Sequence, residues 1–222
     1  MSELTLLIPA NKESESLPIF LKELASYNYK ILVVLQSEDK ETLNSISKFK
    51  NIKILEQKNR GYGNALIEGI NNIDTEFFCI INADGSMDPK YLDQMLNDCK
   101  KYDFVFASRY LDGGGSDDDN IVTYVGNLFF TWLGNILYNL SLSDILYTYI
   151  LGKTLKAKKL FLKYYDFRIC VEIPFKIKKN YMTYISTPSM ERKRIAGKKK
   201  VNAVKDGFLI LMALLNFIFV KK

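Results

Sequence analysis

Acidic and amide side chains follow a run of apolar residues near the middle of the chain. The segment IINADGSMDP, residues 80–89, passes from that run directly into Asn82, Asp84 and Asp88. Carboxylates at the end of a buried strand are costly unless they are solvated or paired. They are also the side chains that hold a divalent cation against a phosphate. The segment therefore predicts either a solvated, capped turn or a cation site at the edge of a sheet.

Three further loops carry residue types that bind anions. The segments are IPANKESESLP (8–18), NRGYGNALIEGI (59–70) and SRYLDGG (108–114). A glycine-bearing turn into a helix lets backbone N–H groups and Arg60 approach a phosphate, and Arg109 in a flexible loop can clamp an anion. Taken singly, each segment is equally typical of a helix cap or a surface turn.

Composition excludes several kinds of catalytic site. The chain has 222 residues, of which 48% are hydrophobic, enough for one domain with a substantial core. It has no histidine, so Ser-His-Asp triads, Cys-His dyads and histidine metal sites are excluded. Its three cysteines are widely spaced, which argues against a disulfide framework or a cysteine zinc site. Any catalysis must use carboxylates, cations and metal ions in a reducing compartment.

The elements that must position these loops alternate between strand and helix patterns. Nearly continuous apolar runs are typical of parallel strands covered on both faces, and Asp88 followed by Pro89 is typical of a helix start. We predict an α/β doubly wound sheet, with the acidic segment at the carboxyl ends of the strands, where such sheets bind ligands. The predicted strands are 4–8, 30–35, 52–56, 77–81 and 104–108, and the predicted helices are 17–26, 62–72 and 89–101.

The later part of the chain combines positive charge with apolar helices. The formal charge of +6 is concentrated in ERKRIAGKKK, residues 191–200, and in the last two lysines. Segment 120–142 predicts a long aromatic-rich helix that is too polar for a clean membrane span. Segment 203–222 predicts a second apolar helix, also shorter than a span, which either lies at a membrane surface or packs against the protein. We therefore divide the chain into a main domain, 1–202, and this C-terminal helix, 203–222.

Membrane association fits this charge pattern better than nucleic-acid binding. Basic residues beside an apolar helix favour an anionic membrane surface, although lysine runs are often only solvated faces. We find no nucleic-acid-binding module and no basic-aromatic interleaving, so nucleic acid is not an expected partner. The N-terminus does not show the pattern of a signal peptide. The expected location is the cytoplasm, peripheral on the inner face of the membrane.

The order of the motifs resembles a known family. Over residues 4–202, IPANKESESLP, NRGYGNALIEGI, INADGSMDP, ASRYLDGG and ERKRIAGKKK follow one another as in family-two glycosyltransferases of the GT-A fold. The chain looks most like the polyprenyl-phosphate (dolichyl-phosphate) mannose synthases. This resemblance implies a Rossmann-like, mostly parallel sheet flanked by helices.

The resemblance also implies roles for individual residues, position by position. It places the nucleotide sugar at Pro9, Glu13, Gln36, Asp39, Arg60, Gly61 and Asn82. It places Mg²⁺ or Mn²⁺ at Asp84, Asn82 and Ser86, with Asp88 as a further helper. It gives catalytic roles to Asp84, Asp144 and Arg109. It implies that the acceptor phosphate is bound by Arg109, Arg194 and Lys200.

Four positions depart from the family pattern. Asn82 stands where relatives have an aspartate, which removes one negative charge from the cation site. Leu35 and Gln36 stand where relatives have two aspartates, with Asp39 as a substitute, and Ile150 stands where an arginine is common. These departures fit either an altered substrate or an inactive copy.

The resemblance implies an inverting enzyme that moves a hexose from a GDP- or UDP-linked sugar to a polyprenyl phosphate. A phosphate monoester is already an anionic nucleophile, so the absence of histidine is no obstacle. Two alternatives stay open: transfer to a saccharide acceptor, and a catalytically dead domain that binds nucleotide sugars or acts as a scaffold. The expected partners are the two substrates, the membrane, and a membrane-anchored protein or a second copy of the chain.

Overall fold

The chain folds into a three-layer α/β structure. The computed structural model describes residues 3–197 and 199–219. A central sheet separates two apolar clusters, one on each face, and helices cover both clusters. The three cysteines are free and buried.

The central sheet has seven strands in the order β3-β2-β1-β4-β7-β5-β8. Strand β7 runs antiparallel to both of its neighbours, and the other pairs are parallel. Two short strands, β6 and β9, pair outside the central sheet. The strands are β1 Leu4–Pro9, β2 Lys30–Leu35, β3 Ile52–Glu56, β4 Phe77–Ile80, β5 Phe104–Ser108, β6 Gly115–Ser116, β7 Ile150–Lys153, β8 Tyr184–Pro188 and β9 Met190–Glu191.

The helices connect and cover these strands. The three predicted helices are present; the first continues as one turn of 3₁₀ helix, and the third begins with one at Pro89. The helices are α1 Leu17–Leu24, α2 Lys40–Ile46, α3 Tyr62–Asn71, α4 Leu92–Lys101, α5 Ile121–Tyr138, α6 Thr154–Lys158, α7 Ile169–Lys179 and α8 Ala203–Phe219.

The five predicted strands are confirmed to within one residue at each end. Their apolar runs are buried on both faces in β1, β2, β4 and β5, as expected of parallel strands between helical layers. The predicted α/β fold with a mostly parallel sheet is therefore correct. The helix start at Asp88 is also confirmed, because its side chain accepts a hydrogen bond from Lys90 N at 3.0 Å.

Ile150 begins a strand that the sequence did not predict. It is buried at the start of β7, paired with Phe106 of β5. Gly152 of the same strand lies against the Phe104 ring, where a Cβ would come within 2.5 Å. An apolar residue at position 150 therefore completes the core in this chain.

The C-terminal helix α8 packs on the main domain. Its buried face is Ile210, Ala213, Leu214 and Phe217, and the Phe217 ring stacks on Phe175 of α7 with centroids 4.2 Å apart. These residues share one apolar cluster with strands of the central sheet. Residues 220–222 of the predicted segment lie outside the described residues, and its membrane-surface role stays a prediction.

Helix α5 is both long and apolar. Within the described residues, Ile121–Tyr138 is the helix long and apolar enough to cross a membrane, judged by length and composition alone. Only 17% of it is buried in the protein. The candidate span is thus an internal helix, and the prediction that segment 120–142 is too polar for a clean membrane span stays a prediction.

Candidate active site

The predicted site residues meet at one edge of the sheet. Pro9 ends β1, Gln36 follows β2, Asn82 follows β4 and Arg109 follows β5. Strand β1 is parallel to β2 and to β4, and β4 and β5 are both antiparallel to β7, so the carboxyl ends of these four strands point to the same edge. That edge is where open α/β sheets bind ligands.

The loop after β4 holds Asp84 in a tight turn. Its Oδ1 accepts hydrogen bonds from the Ser86 backbone N–H at 3.0 Å and the Ser86 hydroxyl at 2.8 Å. Gly85 between them adopts φ +73°, a conformation that side chains disfavour. The second oxygen, Oδ2, faces Arg194 Nη1 at 3.3 Å. One oxygen of Asp84 is therefore used locally, and the other is available for an exchangeable cation.

Asn82 lies at the entrance to the same loop. Its Oδ1 receives a long contact of 3.5 Å from the Tyr62 hydroxyl, which is itself 2.6 Å from the Thr148 hydroxyl. The Asn82 amide oxygen thus receives a long, weak hydrogen bond from the protein.

Asp84, Asn82 and Ser86 offer one carboxylate, one amide and one hydroxyl to a cation. Residues 3–197 and 199–219 contain no group of three or more acidic or cysteine side chains placed to hold a metal ion. Mg²⁺ uses one or two carboxylates together with waters and substrate phosphates, rather than an all-protein set of ligands. The three oxygen donors therefore fit a cation that a bound diphosphate would help to hold.

The loop after β1 contacts the loop after β2. Asp39 Oδ2 accepts a hydrogen bond from Lys12 N at 2.6 Å, and Asp39 Oδ1 caps α2 at Thr42 N. Glu13 accepts a hydrogen bond from the Ser16 hydroxyl at 2.6 Å and pairs with Lys200. The structure brings Glu13, Asp39 and Lys200 together, and their contact with a nucleotide stays a prediction.

Arg60 and Gly61 lie in a turn whose main contacts are with the protein. A Cβ on Gly61 would lie 2.2 Å from the Tyr165 carbonyl oxygen, so the glycine permits close backbone packing. Arg60 is exposed, with its nearest carboxylate, Glu38, at 3.7 Å. The geometry gives a structural reason for Gly61, and the predicted phosphate contact of this turn stays untested.

Arg109 is buried in a cluster of three carboxylates. It makes a two-pronged pair with Asp144, with Nε to Oδ2 at 2.7 Å and Nη2 to Oδ1 at 3.0 Å. Its Nη1 lies 3.1 Å from Glu191 and 3.5 Å from Asp119. The guanidinium also lies over the Tyr147 ring, 4.6 Å from the centroid. We call Arg109, Asp144, Glu191 and Asp119 the arginine cluster.

The arginine cluster contains more negative than positive charge. Burial raises the pKa of the Glu191 carboxyl, and the Arg109 guanidinium and the Ser116 hydroxyl only partly offset the rise. Each guanidinium nitrogen of Arg109 already has a carboxylate partner. The predicted roles of Arg109 in phosphate binding and of Asp144 in catalysis stay predictions, and here the two residues form one buried pair.

Residues 192–200, which we call the basic segment, lie across the Asp84 loop. Arg192 N donates to Ser86 O and Ile195 N donates to Asp84 O, both at 2.8 Å. These backbone bonds place Arg194 over Asp84. The structure thus brings the predicted phosphate-binding residues Arg194 and Lys200 to the predicted cation and nucleotide residues. Lys198 lies outside the described residues.

The acidic residues that pair with these arginine and lysine side chains were not predicted from the sequence. Asp118 pairs with Arg194 at 2.9 Å and with Lys199 at 3.1 Å. Asp119 and Glu191 complete the arginine cluster. The run of three aspartates at 117–119 was the available signal, but an acidic run is usually a solvated face. Glu191 directly precedes the basic residues 192–194, and a single acidic residue in such a run gives no separate signal in the sequence.

Comparisons with known proteins agree with this geometry. Residues 5–171 match the model of the family described as glycosyl transferase family 2. Glucosyl-3-phosphoglycerate synthase from Mycobacterium tuberculosis, solved with Mn²⁺, UDP and glucosyl-3-phosphoglycerate, is similar with a TM-score of 0.72. It is 12% identical over 96% of this chain and 78% of that chain. Mannosyl-3-phosphoglycerate synthase from Rubrobacter xylanophilus is similar with a TM-score of 0.67 and 12% identity, over 98% of this chain and 74% of that one.

These structural likenesses show a shared fold. The two named proteins are synthases of glucosyl- and mannosyl-3-phosphoglycerate, so the resemblance to the polyprenyl-phosphate branch stays a prediction. The family match covers well over half of the 222 residues and contains the β1, β4 and β5 loops of the site. The chain belongs to glycosyl transferase family 2, has the GT-A fold of that family, and is a glycosyltransferase.

Proposed function

We propose that this glycosyltransferase moves a hexosyl group from a GDP- or UDP-linked sugar to a polyprenyl phosphate. The reaction inverts the anomeric centre and takes place at the inner face of a membrane. Asp84, with Asn82 and Ser86, holds Mg²⁺ or Mn²⁺ for the donor. The basic segment receives the acceptor phosphate.

The donor and the cation are supported by the site and by its structural relatives. The oxygen ligands at Asp84 suit a hard divalent cation shared with a diphosphate. The synthase from Mycobacterium tuberculosis was solved with UDP and Mn²⁺ and, separately, with UDP and Mg²⁺. When bound, such a cation would offset the charge that develops on the leaving diphosphate.

The basic segment supports a phosphate-bearing acceptor. The side chains of Arg194, Lys199 and Lys200 are themselves 21%, 35% and 38% exposed in their ion pairs, so each can also contact an incoming phosphate. Arginine and lysine are also the residues that bind phosphate most readily. An acceptor phosphate oxygen can attack the sugar directly, because it is already ionised and needs no general base.

The observation that supports a lipid acceptor is the place where the two apolar helices begin. Helix α5 begins two residues after Asp119, and α8 begins three residues after Lys200. Both helices therefore start at the site, and Gly207 of α8 lies against the Phe130 ring of α5. Their exposed apolar side chains are Ile121, Val122, Tyr124, Val125, Leu128, Phe129, Trp132, Ile136, Val204, Phe208, Met212, Leu215, Ile218 and Phe219.

An exposed apolar surface of this extent is typical of a membrane or lipid contact. We call it the α5–α8 face. It would place the isoprenoid tail in the bilayer and the phosphate head at the basic segment. The lysines at and after that segment suit an anionic membrane surface.

A small phosphorylated acceptor is the second candidate. Its support is that the synthase from Mycobacterium tuberculosis was solved with phosphoglyceric acid as well as UDP and Mn²⁺. The same exchangeable cations would bind such an anion. The α5–α8 face would then have no role in catalysis.

Mass spectrometry of the products separates these candidates. The purified chain is incubated with GDP- and UDP-hexoses, with a polyprenyl phosphate in detergent or with 3-phosphoglycerate, and with Mn²⁺ or EDTA. We expect the polyprenyl phosphate to gain one hexosyl mass in Mn²⁺ and not in EDTA. Asp84→Asn should lower the rate by about 100-fold or more, because it removes the carboxylate that would hold the cation, and the cation stabilises the charge on the leaving diphosphate.

Asp112→Asn is the matched control, because it removes the same charge from an exposed position in the loop after β5. It should retain the metal-dependent rate. A product with 3-phosphoglycerate alone would establish the second candidate. Nucleotide-sugar binding without any product would contradict both and favour an inactive binding domain.

A further inference from the structure

Asp118 connects the loop before α5 to the basic segment. Its Oδ2 lies 2.9 Å from Arg194 Nη2 and 3.1 Å from Lys199 Nζ. Lys199 Nζ also donates to the Asp118 backbone carbonyl at 2.6 Å. The Asp118 side chain is 14% exposed, so these pairs are shielded from solvent more than ordinary surface pairs.

Arg194 is shared between two carboxylates through different nitrogens. Nη1 faces Asp84 at 3.3 Å, and Nη2 faces Asp118 at the shorter distance of 2.9 Å. A divalent cation on Asp84 would compete with Arg194 for the same oxygen, because two positive groups at one carboxylate oxygen repel each other. The contact with Asp118 does not involve that oxygen and can persist.

The backbone around Asp118 is itself held in place. Asp118 N donates to the Ser116 hydroxyl at 3.2 Å, and that hydroxyl donates to Glu191 of the arginine cluster at 2.6 Å. Asp118 is therefore fixed from the buried side of the site. A carboxylate fixed in this way can orient a flexible arginine and a flexible lysine together.

We infer that Asp118 is a positioning residue: it keeps Arg194 and Lys199 beside Asp84 when the cation and the donor diphosphate displace Arg194 from Asp84. The two cations then meet the acceptor phosphate. The inference rests on the proposed function, since it needs a cation at Asp84 and a phosphate-bearing acceptor. It assigns a role to an acidic run that the family motifs do not include.

A comparison of the Asp118→Asn variant with the control variant Asp117→Asn tests this role. The control removes the same charge from the adjacent, exposed position, so it measures the general effect of charge near the site. Hydrogen exchange is measured at the amides of Arg192 and Ile195, which bond the basic segment to the Asp84 loop. We expect Asp118→Asn to speed their exchange by about 10-fold, the effect of losing a charge-assisted hydrogen bond, and Asp117→Asn to leave it unchanged.

Mn²⁺ binding in the presence of UDP or GDP, followed by electron paramagnetic resonance, gives a second readout. Without Asp118, the ion pair left to Arg194 among the described residues is the one with Asp84, so Asp118→Asn should weaken Mn²⁺ binding more than Asp117→Asn does. Arg194→Gln removes the competitor and should tighten it. Asp118→Glu should restore both exchange and Mn²⁺ binding toward the parent values.

The kinetic readout separates positioning from general stability. Asp118→Asn should raise the KM of the acceptor phosphate about 10-fold while changing the KM of the donor much less, because only the acceptor meets Arg194 and Lys199. Equal effects of Asp118→Asn and Asp117→Asn on exchange, or no gain of Mn²⁺ affinity in Arg194→Gln, would overturn the inference. Exchange and Mn²⁺ binding need no acceptor, so they decide the inference even if the proposed acceptor is wrong.

Discussion

The two arginines predicted to bind phosphate differ in how completely carboxylates of the protein already occupy their guanidinium nitrogens. Arg109 is buried with carboxylates on each of its nitrogens, and removing a partner from such a buried group is strongly destabilising. Arg194 is about one-fifth exposed and shared between Asp84 and Asp118. Exchange of a carboxylate for a phosphate is therefore much easier at Arg194, which favours it as the ligand of the substrate.

This difference could not be read from the sequence. The partners of Arg109 lie 10, 35 and 82 residues away along the chain, at Asp119, Asp144 and Glu191. The motif showed that an arginine would follow β5 at the site edge, which is correct. It could not show which acidic residues would fold back on that arginine, because a single sequence does not reveal contacts between distant positions.

Gly63 offers a prediction at the scale of one residue. It is buried in the first turn of α3, and a Cβ there would lie 2.1 Å from the Tyr164 carbonyl oxygen and 2.8 Å from the Tyr165 carbonyl carbon. Gly63→Ala must displace this backbone segment. We expect it to lower the free energy of unfolding by about 1–3 kcal/mol, the usual cost of overpacking. Urea denaturation of the purified variant measures this change.

Gly126→Ala is the matched control within a helix. A Cβ at Gly126 meets no atom within 4 Å, so alanine should add about 0.5–1 kcal/mol of stability through its better helix propensity. The opposite signs of the two changes follow from the backbone contact alone. A Gly63→Ala variant as stable as the parent chain would contradict the close packing at this turn.

At the scale of elements, the parallel strands were predictable and the two later strands of the central sheet were not. The five predicted strands are apolar runs between polar segments, a pattern created by helices on both faces of the sheet. Strand β7 has only four residues, ILGK, and is inserted antiparallel between β4 and β5. Strand β8 lies at the sheet edge and is only partly buried. Short strands without a continuous apolar run give no periodic signal.

Helix α5 carries the only tryptophan of the chain, which makes its environment directly observable. Trp132 is 58% exposed and lies on the α5–α8 face. If this face enters a bilayer, Trp132 moves from water to hydrocarbon. We expect its fluorescence emission to shift to shorter wavelength when vesicles containing anionic lipid are added, and to become less sensitive to iodide quenching.

Phe129→Ser and Tyr181→Ser test whether the α5–α8 face is responsible. The Phe129 ring lies 6.3 Å from Trp132, whereas Tyr181 is 95% exposed in the turn after α7, outside both helices. Phe129→Ser removes one phenylalanine that would insert into the bilayer, so it should weaken vesicle binding about 10-fold. The serine at position 181 should leave it unchanged. Unaltered Trp132 emission at saturating vesicle concentration would disprove membrane contact through this face.

At the scale of the whole molecule, the proposed function requires the site to receive one substrate from water and the other from a membrane. The loops after β1, β2 and β4 carry the residues predicted to bind a soluble nucleotide sugar and its cation. The acidic run and the basic segment continue directly into α5 and α8, toward the surface where a lipid would lie. One sheet edge can thus join a water-soluble donor to a membrane-bound acceptor without any large movement of the domain.

Charge pairs across the molecule also set how its stability depends on pH. Burial alone would raise the pKa of the Asp103 carboxyl, but the Thr183 backbone N–H and the ammonium groups of Lys153 and Lys156 outweigh it and lower that pKa. The pKa of Asp166 is lowered in the same way, against the effect of burial, by Arg168. Arg194 and Lys199 lower the pKa of Asp118, again against burial.

These three aspartates stabilise the fold in their ionised form. Each has a folded-state pKa below the unfolded value of 3.8, so its contribution is fully present above that value and is lost as the pH falls through the folded pKa. Glu191 acts in the opposite sense: its folded-state pKa lies above the unfolded value of 4.5, so acidification through this range favours the folded state. Because three groups oppose one, we expect the urea midpoint to fall as the pH is lowered from 5 to 3.

Asp103→Asn separates one of these contributions from the rest. The variant cannot ionise at position 103, so it should be less stable than the parent chain at pH 7 and should lose less stability between pH 5 and 3. Asp112→Asn, at an exposed position, should follow the parent curve throughout. A urea midpoint that stays constant or rises on acidification would show that Glu191 and the remaining carboxyls outweigh the three paired aspartates, because the sign of the slope reports which state binds more protons.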